Sequence, residues 1–166
     1  MLTRTVFTAI LCLTTLAAAD APASDAAWRR LLTLAGEWAG TEGGRTTTLS
    51  YTVVSGGHSL LESMKMPAPE PDMVTVYHRD GEALMATHYC SMGNQPRMRA
   101  AAPIPAGYSI RFRFVDVTNL RKPGEGHIRH LTVTFVDAGH FTQEWTSFGE
   151  GKEQSAVFKW TRKKAK

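Results

Sequence analysis

Apolar and polar residues alternate with a period of two along most of the chain. Tyr108, Ile110, Phe112 and Phe114 fall on one side of their run, with Ser109, Arg111 and Arg113 on the other. Leu131, Val133 and Phe135 oppose Thr132 and Thr134, and Ala156, Phe158 and Trp160 oppose Val157, Lys159 and Thr161. Successive side chains of a strand point to opposite faces, so each run makes one dry and one wet face. A helical period is seen near the start, where Trp28, Leu31, Leu32 and Ala35 recur at helical spacing. Ser24 or Asp25 is placed to cap that helix and Gly36 to stop it.

The β-rich runs are predicted over Glu37–Glu42, Arg45–Val54, His58–Met66, Met73–Arg79 and Glu82–Cys90. They continue over Arg97–Ala102, Tyr108–Val117, His127–Val136, His140–Phe148 and Glu153–Arg162. Turn residues separate them, and Asp80-Gly81 is the strongest hairpin signal. The links are too short for a crossover helix, so parallel strands are excluded. The pattern predicts an all-β fold, an antiparallel up-and-down barrel of about ten strands with one short N-terminal helix. A barrel of that width leaves room for an internal ligand.

The first residues read as an address. Arg4 is followed by an uncharged, mostly apolar stretch from Val6 to Ala19 that ends in Ala17-Ala18-Ala19. This is the order of a secretory signal peptide, with cleavage expected between Ala19 and Asp20. The stretch is shorter than the ~20 residues a membrane-spanning helix needs. Cys12 sits inside the apolar run after Leu11, which is the wrong place for a lipid anchor. Residues 20–166 then form a single domain in the periplasm or outside the cell, without a stable membrane anchor. Its remaining cysteine, Cys90, has no intrachain partner and reads first as a small buried residue. The net charge of +4 is mild and the basic residues are scattered apart from Arg162-Lys163-Lys164-Ala165-Lys166, so no nucleic-acid partner is expected.

Two segments resemble known proteins. Gly36-Glu37-Trp38-Ala39-Gly40 opens the first strand after a short helix. It resembles the Gly-x-Trp opening of lipocalins and the Gly-x-Trp-x-Gly opening of nitrobindin-like and fatty-acid-binding barrels, the calycin group. In lipocalins a basic residue after the last strand packs over that Trp, and Arg162 stands in the corresponding place. Met73 to Gly81, Leu84 to Cys90 and Gly93 to Met98 are similar to a family of exported bacterial lipocalin-like proteins of unknown function. Thr87-His88-Tyr89-Cys90 and Asn94-Gln95-Pro96-Arg97-Met98 are the most distinctive stretches. The resemblance implies a calycin-like barrel and export, and it brings no chemistry with it. Nitrobindin-like barrels hold haem through a His near the C-terminal strand, and Glu153–Arg162 has none.

Candidate site residues gather around the Met73–Cys90 hairpin. A three-residue turn would set His78, His88 and Cys90 on one apolar face, whereas a two-residue turn would send His78 and His88 to opposite faces. Histidines in such a place read first as core, then as ligand contacts and last as metal ligands, because no zinc-like spacing links the six histidines. Asn94 and Arg97 form a polar loop suited to a carboxylate or phosphate, or to bracing backbone carbonyls. Glu62 lies between Leu60 and Met64 on the apolar side of its strand and needs a partner, with His88 or Arg97 as candidates. No catalytic signature is present. The chain is therefore expected to bind a small hydrophobic or amphipathic molecule through Glu62, His78, His88, Asn94 and Arg97. The alternatives are an enzyme working through His78, His88 and Arg97, and a filled barrel acting through its surface.

Overall fold

The computed structural model describes residues 23–42, 44–101 and 108–164. The expected signal segment, and Ala102 at the end of its predicted strand, lie outside the described residues. Helix α1 spans Ala23–Leu32 and is followed by β1 Gly36–Glu42, β2 Arg45–Val54, β3 Ser59–Lys65, β4 Met73–Asp80 and β5 Ala83–Tyr89. Then come β6 Gln95–Ala100, β7 Ser109–Thr118, β8 His127–Phe135, β9 His140–Gly149 and β10 Lys152–Arg162. Each strand pairs antiparallel with its neighbours in sequence, and β1 pairs with β10 to close the barrel. The expected all-β, ten-strand antiparallel barrel is thus the observed one.

The alternating patterns decide what points inward. Leu49 and Tyr51 of β2, Phe112 of β7, Leu131 and Val133 of β8 and Trp160 of β10 are all buried. Ser24 and Asp25 lie inside the described helix and do not precede it as a cap; Asp25 pairs with Arg79. Ala27, Trp28, Leu31 and Leu34 join the core cluster, so the helix and the turn after it cover one end of the barrel.

The seam between β1 and β10 explains the Gly-x-Trp-x-Gly pattern. Gly40 stands opposite Trp160, and a Cβ there would lie 2.4 Å from Cε3 of that indole. Trp38 stands opposite Arg162, whose guanidinium lies 4.1 Å from the centroid of the Trp38 ring. The expected cation–π contact is therefore present. Arg162 also donates to the carbonyls of Ala35 at 2.8 Å, Thr33 at 2.6 Å and Ala138 at 3.1 Å. Trp38 Nε1 donates to Leu34 O at 2.8 Å, fixing the turn after the helix to the wall. Carbonyls left open by a helix end need donors, and Arg162 and Trp38 supply them.

Candidate functional site

The β4–β5 hairpin pairs Asp80 with Ala83, so its loop is Gly81-Glu82, the two-residue alternative. Gly81 has φ +59°, the left-handed region that glycine adopts freely. The register then pairs Thr75 with His88 and His78 with Met85. His88 is buried in the barrel, while His78 is half-buried on the other face and bonds the Arg79 carbonyl at 3.0 Å.

Arg97 is also on the outer wall. The strand β6 starts at Gln95, before the predicted Arg97, and Pro96 and Met98 take the inward positions. Alternation leaves Arg97 outside. A register shift in β7 sets Asp116 opposite it, and the two form a bidentate pair with Arg97 Nε 2.6 Å from Asp116 Oδ1. Neither a Glu62–Arg97 nor a direct Glu62–His88 pair forms. Asn94 is buried and its side-chain Nδ2 donates to Gly126 O at 2.8 Å, while its backbone carbonyl accepts from Cys90 N–H at 3.1 Å. It braces the turn after β5. Of the predicted constellation, His88 and Glu62 lie inside the barrel and Asn94 supports the turn beside them, whereas His78 and Arg97 lie outside.

Glu62 sits at the centre of a polar layer across the barrel. Its Oε2 accepts from Tyr51 Oη at 2.6 Å, Tyr77 Oη at 2.7 Å and Gln143 Nε2 at 2.8 Å. Trp160 Nε1 donates to Gln143 Oε1 at 3.0 Å, which fixes that amide with its nitrogen toward the carboxyl. No cation pairs with Glu62 among the described residues. Burial pushes its pKa up and the hydrogen bonds oppose that rise. The same burial, reinforced by the Glu62 charge, raises both tyrosines well above their ordinary range.

Thr75 links this layer to the histidine. Its Oγ1 donates to Glu62 Oε1 at 3.3 Å and lies 2.9 Å from His88 Nδ1. With Glu62 ionised, the Thr75 oxygen accepts from His88 Nδ1–H, and Nε2 keeps its lone pair. Burial lowers the His88 pKa to about 4, so the ring is neutral near pH 7. Nε2 has no hydrogen-bond partner among the described residues.

His88 forms part of the wall of a cavity of about 390 Å3 at the barrel end away from α1. Met64, Met73 and Cys90 line the same side, and Ile128, Trp145, Ala156 and Phe158 contribute apolar wall elsewhere. Ser147, Gln154 and Ser155 add neutral polar groups. The His88 and Trp145 rings lie 4.7 Å apart, and Trp145 Nε1 is buried without a partner among the described residues. No lining side chain is an acid, a lysine or an arginine.

The sequence reading missed Tyr51, Thr75, Tyr77, Gln143 and Trp145. Gln143 carried the same signal as Glu62, a polar residue between the inward Phe141 and Trp145. Tyr51, Thr75 and Tyr77 occupy inward positions where a hydroxyl is indistinguishable from ordinary strand composition. The chain matches no protein-family model and no curated protein.

Proposed function

We propose that this chain is an exported calycin-type barrel that holds a small, uncharged amphipathic molecule in the cavity beside His88. The observation that carries the reading is the imidazole itself. It is buried, held at Nδ1 by Thr75, and left with an unpartnered nitrogen at a wall that is mostly apolar and carries no ionised side chain. Apolar lining supplies affinity and a few convergent polar groups supply orientation. The cavity falls within the ~300–1,000 Å3 range of small-molecule sites. The absence of a charged lining group favours a hydroxyl or amide head, because a buried ionic head would lack a counter-charge. The bound head would donate to His88 Nε2.

Three features support membership of the calycin group: the order of the ten strands, the helix across one end, and Arg162 over Trp38. Export rests on the segment from Val6 to Ala19 and predicts a mature N-terminus at Asp20.

The test uses three probes with the same eight-carbon tail: 1-octanol, octanoate and octylammonium. Titration is followed by fluorescence, since Trp145 lines the cavity. Octanol is expected to bind at least tenfold more tightly than either ion. Binding of octanoate in preference to octanol, or of none of the three, would reject the reading.

A further inference from the structure

Sulfur-bearing side chains form a row on one wall of the cavity. Met64 on β3 is the cross-strand partner of Met73 on β4. The β4–β5 ladder ends where Val74 pairs with Tyr89; Met73 and Cys90 flank that last pair and both line the cavity. Cys90, the two methionines and His88 all line the same cavity. Directly opposite residues on one face have Cβ atoms ~5 Å apart, and the long thioether side chains of Met64 and Met73 extend the reach of this row toward His88 and Cys90 in the shared cavity. His88 on β5 is two residues before Cys90, with Nε2 unpartnered among the described residues.

We propose that Met64, Met73, His88 and Cys90 form a Cu(I) site at the open end of the barrel. Thioether, thiolate and imidazole are soft or borderline ligands that select Cu(I), whereas hard divalent ions need carboxylates. No carboxylate lines this cavity. Charge points the same way. One Cu(I) and one thiolate sum to zero, so a pocket with no ionised side chain takes them without a counter-ion, and a divalent ion would leave a buried positive charge. Binding forms the Cu–S bond, releases the Cys90 thiol proton to solvent and changes no oxidation state. Thr75 on His88 Nδ1 orients the ring, as the partners of metal-binding histidines do. Asn94 holds the Cys90 backbone through the turn after β5. This inference goes beyond the binding of an amphipathic molecule, and each can fail without the other.

The test is anaerobic titration of the mature protein with Cu(I) against the chelator bicinchoninate, together with X-ray absorption of the loaded protein. One Cu(I) per chain is expected to resist the chelator, with a sulfur-dominated shell that includes one nitrogen. Cys90→Ser should weaken binding at least 100-fold and Met73→Leu at least tenfold. Met85→Leu on the outer wall should leave it unchanged, and circular dichroism checks that each variant is folded. Failure of the wild type to hold Cu(I) against the chelator overturns the proposal. So does equal retention by folded Cys90→Ser and Met73→Leu variants, or tighter binding of Zn2+ than of Cu(I).

Discussion

The hydroxyl of Thr75 stands 2.9 Å from Nδ1 of His88 and 3.3 Å from Oε1 of Glu62, so one side chain joins a buried carboxyl to the imidazole of the cavity. A hydroxyl both donates and accepts, and the direction of its donation sets the state of both neighbours. While Glu62 is a carboxylate, Thr75 donates to it and His88 must donate from Nδ1. The cavity then meets a lone pair on Nε2.

Glu62→Gln should reverse this chain. The Gln carbonyl can keep the three donors that converge on Oε2, placing its NH2 toward Thr75. Thr75 then accepts from Gln and donates to His88 Nδ1, which moves the ring proton to Nε2. Nitrogen NMR of labelled histidine should show the Nδ1–H form in the wild type and the Nε2–H form in the variant. Octanol affinity should change little, because a hydroxyl head can also accept, whereas a ligand that only donates should bind at least tenfold more weakly. The same tautomer in both proteins would refute the relay.

The pH dependence of stability separates the two ends of the chain. Burial lowers the His88 pKa to about 4, from an ordinary ~6.5. Below pH ~6.5 the unfolded chain takes up a proton that the folded ring refuses, so stability falls as pH drops. The loss reaches about 3 kcal/mol once pH is below the folded value. Glu62 acts with the opposite sign. Its raised pKa means that the unfolded carboxyl ionises first, so its contribution falls as pH rises above ~4.3. The slopes oppose each other in the wild type. Urea unfolding between about pH 4 and 7 should show Glu62→Gln gaining stability with rising pH and His88→Gln losing it. Parallel profiles for the two variants would show that neither group behaves as its burial requires.

The seam between β1 and β10 gives a stability test with no bearing on the cavity. Gly40→Ala places a methyl 2.4 Å from the Trp160 ring, which is itself buried and stacked on Phe158. Overpacking of this kind costs about 1–3 kcal/mol. Arg162→Lys keeps the charge but loses the fork that reaches Thr33, Ala35 and Ala138 together. A loss of about 2–3 kcal/mol is expected from those charged hydrogen bonds. Both variants should lower the urea midpoint while octanol binding at the far end persists. Unchanged midpoints would mean that the motif is not what fastens the helix to the wall.

Sequence periodicity was enough to place the strands because each strand has one buried face, and burial enforces alternation. It was also enough to single out Glu62, since a carboxylate between Leu60 and Met64 must find partners inside. The site was less legible because its geometry depends on register. The turn after β4 could hold two or three residues, and that choice alone moves His78 across the wall. Arg97 was misplaced for a related reason. Asn94-Gln95-Pro96 has the composition of a loop, yet Gln95 and Pro96 pair with Thr118 and Val117. The β5–β6 ladder pairs residues only as far as Thr87 with Arg97. On that side the missing Pro96 N–H leaves no paired residue unsatisfied.

Arg97 and His88 therefore make the sharpest contrast in binding. Arg97 is exposed and satisfied by Asp116, whose carboxylate is held below its ordinary pKa by that contact. Exposed pairs are screened by solvent and salt and contribute little. Arg97→Ala should leave the urea midpoint and the octanol affinity where they are in the wild type. His88→Phe keeps a ring of similar shape against Trp145 but removes the acceptor from the cavity wall. A neutral hydrogen bond is worth about 1 kcal/mol, so octanol should bind roughly fivefold more weakly to this variant. Octane titrated in parallel controls for the wall, since it makes no hydrogen bond and should bind both proteins alike. If Arg97→Ala weakens octanol binding and His88→Phe does not, the polar anchor is on the outer wall and the cavity beside His88 is not the binding site.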